Sequence, residues 1–192
     1  MQSKFRWTPP RRWRPSHSEM NQEAFLPDFC TKKILILGCG NRLFGDDGFG
    51  PAVADYLLSH YDIPSDVYLA DVGTGVRKLL FTLCLSQELP KRIVILDAVD
   101  TGEAPGELFE LPLDNVPAEK VDDFSLHQVP SSNLARTLRD IGVDVRVIGC
   151  QVAHVPESIC PGLSEPVESA VIKMCEKIVK ADFFRYSESL SP

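Results

Sequence analysis

From residue 32 onward, short apolar runs alternate with stretches in which apolar residues recur every three or four positions. Residues 33–38 read Lys-Ile-Leu-Ile-Leu-Gly, a run stopped by glycine, as expected of a parallel strand buried on both faces. Residues 50–61 carry Val53, Ala54, Leu57 and Leu58 at helical spacing, with Pro51 tolerated in the first turn. A second strand is expected over 66–71. Leu79, Leu80, Leu83 and Leu85 predict a helix over 76–85 that ends before Pro90. Residues 92–97 (Arg-Ile-Val-Ile-Leu-Asp) read as a third strand, and 106–111 as a shorter edge strand. A helix over 131–141 has serines available as N-caps and Gly142 as its stop. A β-branched strand over 143–151 and an amphipathic helix over 166–184 close the pattern. Strands separated by helices imply right-handed crossovers. The expected fold class is therefore α/β: one three-layer domain, with a twisted, mostly parallel sheet flanked by helices on both faces.

Composition narrows the function classes. The 192 residues are 44% hydrophobic and 24% charged, ordinary values for one globular domain. Twenty basic against 27 acidic side chains leave a net charge of −7, which argues against a nucleic-acid partner. No apolar run approaches the roughly 20 residues needed to span a bilayer, so no membrane is expected. Cys30, Cys39, Cys84, Cys150, Cys160 and Cys175 form no C-x-x-C pair and read as free core thiols in a reducing, cytoplasmic compartment.

Residues 1–31 differ from the body, 32–185. Pro9, Pro10 and Pro15 lie among Arg6, Arg11, Arg12 and Arg14, with Trp7 and Trp13 interleaved. The paired arginines are followed by a polar stretch, 17–23, where an export signal needs an apolar one. The segment is read as a flexible basic and aromatic extension, with a docking arm as the alternative. Residues 186–192 are a polar tail.

In parallel sheets, ligands bind beyond the carboxyl ends of the strands, where the winding reverses. After the first strand comes Gly38-Cys39-Gly40-Asn41-Arg42-Leu43-Phe44-Gly45-Asp46-Asp47-Gly48; after the second, Asp71-Val72-Gly73-Thr74-Gly75; after the third, Asp97-Ala98-Val99-Asp100. Ser125-Leu126-His127-Gln128 stands ahead of a helix. Gly38-x-Gly40 invites a dinucleotide reading, but Leu43 occupies the third glycine position and two acids come after it, which would repel a pyrophosphate. Two carboxylates and an imidazole instead suit a divalent ion such as nickel or zinc, with Asp47, Asp97 and His127 as the ligand set. Plainer roles stand beside each: Asp46 or Asp47 capping the next helix, Asp97 holding a loop, and a structural histidine. His154, with Glu157 near it, is a secondary candidate; His17 lies in the extension, and His60 ends a helix. No nucleophile elbow, H-E-x-x-H motif or cysteine–histidine pairing occurs, so a hydrolase here needs water activated by carboxylates or a metal. Asp46 is the candidate second base or orienting neighbour.

At these residues the chain resembles the maturation proteases of NiFe hydrogenases, endopeptidases that trim the hydrogenase large subunit. The resemblance rests on Gly38-x-Gly40-Asn41-x-Leu43-x-Gly45-Asp46-Asp47-Gly48-x-Gly50-Pro51, on Asp71-x-Gly73-Thr74, on Asp97-Ala98-x-Asp100 and on His127, and spans roughly 32–184. The acidic loop with Ser125-Leu126-His127-Gln128 is most similar to the branch serving deazaflavin coenzyme-reducing hydrogenases. The resemblance implies an aspartyl-type endopeptidase in which Asp47, Asp97 and His127 recognise nickel. That nickel is supplied by the large-subunit precursor, whose carboxyl-terminal extension is removed; no organic cofactor is implied. Residues 1–31 lie outside the usual family pattern. A non-catalytic nickel- or precursor-binding chaperone and a nucleotide-binding oxidoreductase are the alternatives.

Overall fold

A computed structural model describes residues 27–113, 131–180 and 184. His127 and its neighbours 125–128 lie outside the described residues, as do residues 1–26 and the tail. The chain runs β1 (Ile34–Cys39), α1 (Phe49–His60), β2 (Val67–Gly73), α2 (Val76–Cys84), β3 (Arg92–Val99), β4 (Leu108–Leu111), α3 (Ser131–Asp140), β5 (Asp144–Gln151) and α4 (Glu165–Lys180). Each expected element is present, with ends shifted by a few residues at most within the described chain. Turns of three-ten helix add Asp28–Thr31 before β1 and Gly45–Gly48 before α1.

The strands lie in the order β2-β1-β3-β5-β4, all parallel except β4, which pairs antiparallel with β5 at the edge. All six residues of β1 are buried, the mark of a central strand covered on both faces. Ile34 and Ile36 pack with Val94 and Leu96 toward α1 and α4, around Phe49, Leu57 and Met174. Leu35 and Leu37 pack with Ile93 and Ile95 toward α2 and α3, around Leu80, Leu83 and Leu138. The two-residue alternation of a strand thus divides one apolar run between two cores. No helix among the described residues is long and apolar enough to cross a membrane.

Two sequence expectations need correction. Asp28–Thr31 packs on the body: Cys30 is buried, and Phe29 meets Tyr68 edge-on with ring centroids 5.8 Å apart. The ordered body therefore reaches back to Pro27, into the stretch assigned to the extension, because these apolar side chains find a surface there. Among the cysteines, Cys30, Cys39, Cys150 and Cys175 are buried, but Cys84 is half-buried and Cys160 is exposed.

The winding leaves β1 toward β2 and returns across it to β3, so the reversal point lies at the carboxyl ends of β1 and β3. There α1 drives its amino terminus into the sheet. A Cβ at Gly50 would lie 2.4 Å from the carbonyl oxygens of both Cys39 and Leu96, and one at Gly38 only 2.2 Å from that of Gly50. Backbone meets backbone, and no side chain can yield. Gly50→Ala should cost about 3 kcal/mol by overpacking and lower Tm by roughly 6–12 °C for a chain of this size, measured by calorimetry.

Candidate active site

The loop from Gly40 to Gly48 lies over this reversal point. Gly40 has φ of 122°, and its N–H donates to Gly73 O at the end of β2 (3.2 Å). The loop then turns back on itself: Phe44 N–H donates to Asn41 O (3.1 Å), Asp47 N–H to Phe44 O (3.2 Å) and Asn41 N–H to Asp47 O (3.1 Å). A Cβ at Gly40 would sit 1.9 Å from the Asp47 carbonyl oxygen and 3.5 Å from its Oδ1. This close approach delivers the half-buried Asp47 carboxylate to the end of β1. Asp97, also half-buried, stands near the end of β3, where its Oδ1 accepts the Ala98 N–H (3.0 Å).

Cys39 is the last residue of β1. Burial pushes its thiol pKa up, and the negative charges of Asp97 and Asp71 push it further. The three strand ends therefore share one negative field, and the thiol stays protonated, which removes it as a nucleophile. The third expected partner, His127, lies outside the described residues. Among the described residues, no group of three or more His, Cys, Asp or Glu side chains is arranged to hold a metal.

Arg42 braces one side of the loop. It donates from Nε to Asp71 Oδ2 (2.9 Å) and from Nη2 to Pro51 O (3.2 Å), and pairs through Nη1 with Asp55 on α1. Hydrogen bonding to Arg42 holds the Asp55 carboxyl below its ordinary range. These groups are partly exposed, so their value is alignment more than stability. Asp71 Oδ1 in turn accepts the Gly73 N–H (2.8 Å).

Asp46 braces the other side, and it is 1% exposed. Its Oδ2 accepts hydrogen bonds from Ala153 N–H (2.8 Å), His154 N–H (3.1 Å) and Ser164 Oγ (2.9 Å); its Oδ1 accepts one from Ser164 N–H (2.7 Å). It does not cap α1, whose N-cap residue Gly48 has no side-chain cap. Burial alone raises the pKa, but the backbone donors and the serine hydroxyl outweigh it and hold the carboxyl below its ordinary value. All four of these hydrogen bonds come from protein donors in the segment between β5 and α4.

Sequence reasoning missed three contributors. Ser164 lies directly before α4, and nothing local in the sequence points it at Asp46. Arg42 is an ordinary polar loop residue in the sequence. Gln151 is 3% exposed at the end of β5: its Oε1 accepts from Thr101 N–H (2.9 Å), Thr101 Oγ1 (3.1 Å) and Glu103 N–H (3.3 Å), while its Nε2 donates to Asp100 Oδ1 (3.0 Å). It fastens the loop beyond Asp97. An amide directly after the apolar run 147–150 was the available signal. His154 and Glu157 are exposed on the neighbouring loop. His60 stacks on Tyr56 at 4.1 Å and its ring nitrogen meets Tyr56 O, a structural arrangement.

The depressed Asp46 carboxyl sets an acid limb of stability. Its contribution is fully present above the ordinary value of 3.8 and is lost as pH falls through the lower folded value. Asp46→Ala should cost about 3 kcal/mol at neutral pH. Its deficit relative to the parent should shrink below about pH 4 in denaturant titrations.

Comparison with known proteins agrees with this architecture. A family model described as hydrogenase maturation protease matches residues 51–181. A protein of Methanocaldococcus jannaschii described as a hydrogenase maturation protease is 41% identical over 150 residues, 77% of this chain and 95% of the relative. The coenzyme F420 hydrogenase subunit delta of Methanothermobacter thermautotrophicus is 32% identical over 151 residues, 77% of this chain and 92% of its own. The crystal structure of a NiFe hydrogenase maturation protease from Thermococcus kodakarensis superposes with a TM-score of 0.62 at 26% identity, covering 81% of this chain and 94% of that one. By the extent of these matches, this chain belongs to the hydrogenase maturation protease family.

Proposed function

We propose that this protein is an endopeptidase that recognises nickel in a hydrogenase large-subunit precursor and removes that precursor's carboxyl-terminal extension. What supports the reading is the approach of Asp47 to Gly40 just past β1 and the place of Asp97 near the end of the adjacent β3, at the reversal point of the sheet, in a chain of this family. Two carboxylate oxygens, with the imidazole of His127 as the third expected donor, suit a divalent transition-metal ion and leave coordination positions for the substrate's own ligands. Such a site is completed by the precursor's cargo, so a nickel-free precursor offers it less to bind. Peptide hydrolysis then needs one water positioned against the scissile carbonyl. A rim carboxylate accepts a proton from the water as the C–O bond forms, and the proton passes to the departing amine as the C–N bond breaks. The likeness to the coenzyme F420 hydrogenase subunit delta supports a deazaflavin coenzyme-reducing hydrogenase as the source of the precursor.

The test is mass spectrometry of a nickel-loaded large-subunit precursor incubated with the purified protein. A shortened precursor is expected with nickel and an intact one without it; an intact nickel-loaded precursor held in a stable complex would instead mark a chaperone. Asp47→Ala, Asp97→Ala and His127→Ala should each remain folded and slow processing by about a hundredfold or more. Processing at the parent rate by all three would overturn the site.

A further inference from the structure

Asp46 lies next to the residue expected to meet nickel, yet its four side-chain hydrogen bonds reach away from the reaction. The loop it reaches is locked to its own in both directions. Gly45 N–H donates to Cys160 O (2.9 Å), Asp46 N–H to His154 O (3.4 Å), and Cys160 N–H to Leu43 O (2.9 Å). Phe44 and Cys160 form an isolated parallel bridge, and Gly45, at φ of 55°, leaves a would-be Cβ only 2.8 Å from Pro156 Cδ. Residues 43–46 and 153–164 therefore behave as one body. Asp47 belongs to it through the bonds of its N–H to Phe44 O and of its carbonyl to Asn41 N–H.

We infer that Asp46 is a positioning residue: by gripping Ala153, His154 and Ser164 it holds the turn that aims the Asp47 carboxylate at the nickel of the precursor. This rests on the function proposed above. A neutral isostere distinguishes the role from simple packing. Asparagine has nearly the same shape, but it offers one carbonyl oxygen where the carboxylate offers two. Its amide N–H groups would face either Ser164 N–H or the three donors on Oδ2. Asp46→Asn thus breaks the grip while leaving the volume filled.

The experiment joins hydrogen exchange on the full chain with binding of a large-subunit precursor, nickel-loaded and nickel-free. Asp46→Asn should speed exchange of the Asn41 and Asp47 amides by about tenfold, together with those of Ala153, His154 and Ser164. Affinity for the nickel-loaded precursor should fall by about tenfold toward that of the nickel-free one, which itself stays unchanged. Faster exchange confined to Ala153, His154 and Ser164 would overturn the inference, as would equal losses of affinity for both precursors. Should the parent protein fail to distinguish the two precursors, the proposed function fails, and exchange at Asn41 and Asp47 alone decides the role of Asp46. Should Asp46→Asn not fold, Ser164→Ala removes one of the four donors. It should then give smaller changes in the same places, and unchanged exchange at Asn41 and Asp47 would overturn the inference.

Discussion

A carboxylate taken out of water must find hydrogen-bond donors that replace its hydration, or it destabilises the fold that buries it. Asp46 meets that demand with three backbone N–H groups and one hydroxyl, drawn from residues 107, 108 and 118 positions away in the chain. The donors cannot be supplied unless β5 has ended, the next loop has turned back and α4 is about to begin. The ion therefore couples the geometry of the β1–α1 loop to the far end of the chain. Gln151, the other buried polar side chain among the described residues, does the same for the loop after β3. Both buried polar groups serve the rim, and the two apolar cores beneath them hold none.

The cores explain why the rim is rigid from below. β1 is buried along its full length, and α1 enters at Gly50 with its backbone against those of β1 and β3. Such contact fixes the start of α1 tightly, since no flexible side chain lies between. The turn carrying Asp47 spans the short distance from Gly50 back to Gly40, whose own backbone touches it. Glycine at positions 38, 40 and 50 is thus a condition for bringing a carboxylate so near a strand end.

Much of this was legible in the sequence. The strand runs 33–38 and 92–97 and the helix over 50–61 declare themselves through period and glycine stops, because burial on one or both faces dictates which positions are apolar. The sequence singled out Asp47 and Asp97 as following strands; the structure has Asp47 in the loop after β1 and Asp97 inside β3, two residues before its end. The sequence left Asp46 open as a second base or an orienting neighbour, and it could not show the donors of its carboxylate, which lie more than a hundred residues away. Arg42 was opaque for the same reason: Asp55 reads as ordinary surface of α1, and nothing local pairs Arg42 with Asp71 on β2. The body's reach into 27–31 was hidden because one turn of three-ten helix is too short to show a period.

The two braces of the loop differ in kind. Arg42 and its carboxylates are partly exposed, so counterions screen the pair and water competes for each hydrogen bond. Asp46 is sealed from solvent, and its donors are mostly backbone groups whose directions are set by β5 and α4. Ionic strength that loosens the first brace leaves the second nearly untouched, because a buried ion's interactions with fixed dipoles are screened little. The loop can therefore give on the Arg42 side, toward β2, while the Asp46 side stays anchored. Asp47 is one residue from the rigid brace, so its backbone position is tied to the end of β5 and the start of α4.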